Sequence, residues 1–207
     1  MNNSFERALP ENYKEVKYVN AKSVKFGLIS NLIALIVWFF ITALLLIPLI
    51  LNGAFDNIEP SYELMFKISI FGVLFLIGNI LYMVLHELTH GAVYKAMTKE
   101  RLTYGISWSC AYCGVPQLYI YRKTALLAIL APLILFSIIF GAMTLVCYFV
   151  SPLFYLLFAT LLALHLGACT GDIYVAALLI FKFRDKRALM RDTGPEQFFY
   201  IPAEEDI

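Results

Sequence analysis

Residues 68–97 read ISIFGVLFLIGNILYMVLHELTHGAVYKAM. From Ile68 to Leu85 this stretch carries no charge and is apolar on every side of a helix, a pattern that suits lipid or a deep core. It then runs without a break into His86-Glu87-Leu88-Thr89-His90. One segment therefore predicts both the fold class, a membrane helix, and the place where chemistry is concentrated.

The rest of the chain agrees. Of its 207 residues 61% are hydrophobic and 15% charged, and mean hydropathy is +0.76. Soluble domains run at roughly 45–50% apolar and about 25% charged, so a water-soluble globule is excluded. Lys plus Arg (16) nearly cancels Asp plus Glu (15), which leaves no basic field for nucleic acid. The four cysteines do not resemble a secreted disulfide framework.

Three further runs have the roughly 20 apolar residues needed to span hydrocarbon. The expected spans are 27–51, 68–97, 124–150 and 152–183. Only Ser151 and Pro152 separate the last two, which predicts a tight helical hairpin. The fourth run is longer than a bilayer is thick, and Gly167 and Gly171 are the natural places for it to bend. Basic residues set the orientation. The first loop has Asp56, Glu59 and Glu63 and no cation before Lys67, whereas Lys95, Lys99, Arg101, Arg122 and Lys123 crowd the second and Lys182, Arg184, Lys186, Arg187 and Arg191 follow the fourth span. Both termini and the second loop are expected in the cytosol, and the membrane is the cytoplasmic one if the source is bacterial. The expected organisation is a polar N-terminal segment 1–25 that is no cleaved leader, a membrane domain 26–183, and a solvated tail 184–207, with an all-α membrane fold.

HExxH on a helix places His86 and His90 one turn apart on one face, where both rings can reach one zinc. Glu87 lies about 100° round the helix, poorly placed as a ligand but well placed to take a proton from the attacking water. A pair of satisfied core histidines is the rival reading, and the cost of ionisable groups inside a span weighs against it. A catalytic zinc normally has three protein ligands. His165 and Asp172 are the candidates, and depth favours Asp172: His86 stands nine residues before Lys95 and Asp172 ten before Lys182, so both lie roughly 14 Å inside the basic rim. His165 lies about 10 Å farther in. Asn79 precedes His86 by the same seven residues that separate His165 from Asp172. That pair either meets above the metal, as oxyanion donors or outer supports, or glues two helices together.

Alternation over Leu102, Tyr104, Ile106, Trp108 and Cys110, then an extended piece from Gln117 to Tyr121, predicts an interfacial or re-entrant β-hairpin between the second and third spans. Its edge, with Tyr104, Ile106 and Trp108, would take a substrate strand or anchor the chain at the lipid surface. Cys110-Ala-Tyr-Cys113 is a lone CxxC and is left out of the metal site.

His86-Glu-Leu-Thr-His90-Gly91, Arg122, Leu130-Ala-Pro-Leu133 and Gly171-Asp172 together resemble the zincin peptidases among small bacterial membrane proteins, distantly similar to the site-2 proteases. The resemblance runs over about Asn79 to Ala177. It implies an intramembrane zinc protease with one zinc per chain, His86, His90 and Asp172 as ligands and Glu87 as base. Its substrate would be a membrane-associated peptide or transmembrane protein. The Gly171-Asp172 order and the missing asparagine-proline motif depart from the site-2 pattern. A membrane zinc-binding protein without enzymatic activity, a metal-ion carrier or an immunity or scaffolding factor, is the rival from another class. Such a protein needs ligands but no general base, so Glu87 favours the enzyme.

Overall fold

The computed structural model describes residues 4–56 and 59–203, so Glu204 to Ile207 of the tail lie outside the described residues. It is mostly helical. Among the described residues four helical stretches are long and apolar enough to cross a membrane: α1 (Val24–Leu51), α2 (Tyr62–Thr98), α3 (Arg122–Val150) and the stretch Pro152–Lys182. The expected spans lie within these helices or overlap all but their ends. The fourth stretch is interrupted. Pro152 opens α4 (Pro152–Ala168) behind an extended Ser151, where proline's missing N–H costs nothing. α4 stops at Cys169, whose ψ of 4° leaves the helical range. Then α5 (Thr170–Ala177) begins, and it passes into a π-helical turn, Leu178–Lys182. The break falls between Gly167 and Gly171, where a bend was expected.

The chain folds into two compact units. One comprises the described residues of Leu32–Val84 and Leu133–Thr170. Its interior holds two clusters, Tyr82 with Phe136, Phe140, Leu157 and Leu161, and Leu49 with Cys147, Tyr155 and Ala159. Large apolar side chains such as Leu76, Ile77 and Ile138 point outward, as helices do when their solvent is lipid. Gly167 allows a close helix contact: a Cβ there would stand 2.5 Å from the Ala34 carbonyl oxygen. Small residues at such crossings are the membrane substitute for hydrophobic burial.

The other unit comprises Met1–Asn31, Leu85–Pro132 and Gly171–Ile207 in their described parts, and here the all-α expectation fails. Strands β1 (Phe5–Glu6), β2 (Tyr13–Asn20), β5 (Tyr119–Tyr121), β6 (Leu189–Asp192) and β7 (Glu196–Pro202) form one antiparallel sheet in the order β1-β5-β6-β7-β2. The tail is no solvated extension. Leu189, Met190 and Phe199 are almost fully buried, and Met190 and Phe199 pack with Val19, Ile120 and Phe183. Strands this short, drawn from three distant parts of the chain, leave no periodicity long enough to read. In β2 the charges of Lys14, Glu15 and Lys17 further mask the buried Val19.

The strands between α2 and α3 also pair differently from expectation. β3 (Thr103–Ile106) pairs with β4 (Ala111–Gly114), Tyr104 facing Cys113. The piece near Gln117 was expected as the second arm, but β5 pairs instead with β1 and β6. Ser107 decides this. Its Oγ accepts from the Ser109 and Cys110 amides, and its N–H donates to the Cys110 carbonyl at 2.8 Å, a hydroxyl-closed turn that reverses the chain before Cys113.

Candidate metal centre

α2 carries a buried stripe at one-turn spacing, His86, His90, Tyr94 and Thr98. The first two are 8% and 7% exposed. α5 brings Asp172 to them: its Oδ2 lies 3.1 Å from His86 Nε2 and its Oδ1 3.5 Å from His90 Nε2, while the two histidine Nε2 atoms are 3.2 Å apart. Corners of a tetrahedron with ligand bonds of about 2.0–2.1 Å are about 3.3 Å from one another. Two imidazole nitrogens and a carboxylate oxygen, all within 4.8 Å, thus match three corners of a zinc site in spacing and in donor chemistry.

His90 is oriented from behind. Its Nδ1–H donates to the Ala128 carbonyl of α3 at 2.9 Å. A carbonyl can only accept, so Nδ1 keeps the proton and Nε2 is the nitrogen presented to a metal. Arg122, at the start of α3, holds the other side. In the π-helical turn the Phe183 amide reaches back to the Leu178 carbonyl, and the Leu179 carbonyl accepts from Arg122 Nε at 2.6 Å. This ties down the segment that follows Asp172.

The sheet reaches the same helix. Tyr94 donates to Asp192 Oδ2 at 2.7 Å, and the Gly194 amide donates to Asp192 Oδ1 at 2.9 Å. Burial raises the Asp192 carboxyl to about 6, and these two donors oppose the rise. The β6–β7 turn that carries Gly194 lies directly on β4: a Cβ on Gly114 would meet the Gly194 nitrogen at 2.2 Å. Neither Tyr94 nor Asp192 was expected at the site. Tyr94 shares the histidine face, a readable signal, whereas Asp192 in a polar tail offers none.

Glu87 is half-buried on α2. Gly91, just past His90, lets Tyr104 of β3 lie against the helix, since a Cβ there would meet its hydroxyl at 1.9 Å. Tyr104, Ile106 and Trp108 are all exposed, and the Trp108 indole donates to the Lys22 carbonyl at 3.2 Å. His165 and the half-buried Asn79 belong to the other unit. There His165 is fully buried, its Nδ1 2.8 Å from the Tyr82 hydroxyl and its Nε2 3.1 Å from the Ser137 hydroxyl. The cysteines are free thiols, and burial pushes Cys113 up to about 12, far from a thiolate.

A buried helical histidine pair met by a carboxylate from a second helix offers the donor types that a zinc site uses. The sequence matches the family described as "Putative zincin peptidase" over residues 79–186, just over half of the chain, and the protein belongs to that family. The matched region includes all three convergent side chains and ends before β6. No curated protein and no solved structure matches the chain.

Proposed function

We propose that this protein is a multi-pass membrane zinc peptidase that hydrolyses peptide bonds of a membrane-associated protein or peptide, with its active site toward the cytosol. The observation that carries the reading is the convergence of His86 Nε2 and His90 Nε2, 3.2 Å apart, on the Asp172 carboxylate, whose Oδ2 lies 3.1 Å from the first and whose Oδ1 lies 3.5 Å from the second, beside Glu87, in a chain of a peptidase family. His86, His90 and Asp172 would hold the zinc, whose Lewis acidity would polarise the scissile carbonyl and acidify water. Glu87 takes the proton of the attacking water on its carboxylate and passes it to the leaving amine. Ala128 and Arg122 keep the ligand-bearing elements in register. The open edge of β3, with Tyr104 packed on Gly91, supports binding of the substrate as an added strand. Trp108 supports seating of this ladder at the membrane interface.

The sheet supports the topology. Segments before α1, between α2 and α3 and after the fourth stretch pair edge to edge, and a bilayer cannot pass through a hydrogen-bonded sheet. That pairing supports a reading in which these segments share one side, and the cations around them support the cytosolic one.

The test pairs metal content with turnover. Purified wild type should hold about one zinc per chain and cleave a membrane-tethered reporter. His86→Ala and His90→Ala should lose both properties, and Glu87→Gln should keep zinc and lose cleavage. Zinc-free wild type, prepared without chelator, would refute the reading. Zinc with no cleavage of any reporter in wild type would favour the carrier or scaffolding alternative.

A further inference from the structure

α3 contains a proline, Pro132, that is almost completely buried and four residues beyond Ala128. In an α-helix the N–H of residue 132 would close on the carbonyl of residue 128. Proline has no N–H, and its ring crowds that same carbonyl. The Ala128 carbonyl is thereby released from the helical ladder at a position where it is buried and water is scarce, so a donor from elsewhere must satisfy it. The donor is His90 Nδ1, at 2.9 Å. Pro48 in α1 is also inside a helix, but it lies in the other unit.

We infer that Pro132 is a positioning residue for the metal centre: by withholding its N–H it frees the Ala128 carbonyl to fix the tautomer and ring orientation of His90. The inference rests on the zinc reading for its consequence, while the hydrogen bond it explains belongs to the packing of α2 on α3. With alanine at 132, an N–H would return to the ladder and compete for the carbonyl. His90 would then lose its fixed tautomer and present Nε2 to the metal only part of the time. Loss of such an outer partner typically weakens metal binding roughly 10–100-fold. Alanine favours the helix more than proline does, so the variant should remain folded.

The experiment uses the full chain in detergent, with zinc alone as probe, titrated against a chromophoric chelator. Pro132→Ala should weaken zinc binding roughly 10–100-fold, while Pro48→Ala should leave it unchanged. Replacing residue 132 by lactic acid, whose ester link has no N–H and no ring, should retain wild-type affinity. That arm separates the missing donor from the ring and keeps the inference open to refutation if Pro132→Ala does not fold. In parallel, nitrogen-15 NMR of labelled histidine in metal-free protein, at a pH alkaline enough to keep the ring neutral, should show His90 protonated at Nδ1 in wild type and a mixture of tautomers in Pro132→Ala. Unchanged affinity together with an unchanged His90 spectrum in Pro132→Ala would overturn the inference, as would loss of affinity in the ester variant. Failure of wild type to bind zinc would instead refute the peptidase reading, and the metal-free spectrum would still decide the role of Pro132.

Discussion

Gly114→Ala adds one methyl where β4 meets the β6–β7 turn, and it tests whether the tail is built into the unit that holds His86, His90 and Asp172. The new Cβ would lie 2.2 Å from Gly194 N, 2.6 Å from the Thr193 carbonyl carbon and 2.8 Å from Gly194 Cα. All three are backbone atoms of a turn held by Val115 N–H to the Asp192 carbonyl at 2.8 Å, Ala21 N–H to the Pro195 carbonyl at 2.8 Å and Thr193 N–H to the Glu196 carbonyl at 3.0 Å. No side chain can rotate away, so the turn must lift. Overpacking of this kind costs typically 1–3 kcal/mol, and losing the Val115 bond adds about 1 kcal/mol. A total of about 3 kcal/mol corresponds to a fall in Tm of roughly 6–12 °C for a chain of this size. Gly91→Ala is the control in kind: its Cβ meets side-chain atoms of Tyr104 and Leu102 rather than backbone, and side chains can yield, so the loss should be about 1 kcal/mol. Thermal unfolding of the detergent-solubilised protein measures both. A Gly114→Ala melt within 2 °C of wild type, or one less perturbed than Gly91→Ala, would refute the packing of tail against β4.

Asp172→Asn should weaken zinc binding and abolish cleavage, whereas His165→Ala should keep the metal and cost stability through the loss of the Tyr82 and Ser137 contacts; chelator competition and melting read the two apart, and the reverse pattern would remove Asp172 from the ligand set. Gly167→Ala should destabilise by roughly 1–3 kcal/mol against the Ala34 backbone, while Gly141→Ala, which meets nothing within 4 Å, should be neutral or stabilising by about 0.5–1 kcal/mol; equal melts would contradict the crossing. The Asp192 carboxyl, raised to about 6 from 3.8, binds more protons in the folded chain than in the unfolded one between those values. Its contribution to stability is therefore greatest in acid and declines as pH rises through about 6. From pH 7 to pH 5 wild type should gain about 1 kcal/mol relative to Asp192→Asn; a difference between their melts that does not change with pH would show that this carboxyl titrates normally.

Composition and local pattern determined what could be read from neighbours in the chain. Uninterrupted apolar runs have one stable solution in lipid, so the four long helices followed from hydropathy, and the i, i+4 spacing of His86 and His90 put both rings on one face before any fold was known. Matching distances to the basic rim singled out Asp172 because helix rise is constant, even though the helix breaks at Cys169. What tertiary structure decided involves partners far apart in sequence. β1, β5 and β6 are separated by more than sixty residues at each step, and with two to four residues each they carry too little period to announce a sheet. A buried carboxylate such as Asp192 reads like any tail acid until Tyr94 closes on it. Pro132 shows the division most directly: the sequence tells that one carbonyl of α3 loses its helical donor, and only the packing of α2 beside it reveals that His90 takes that place.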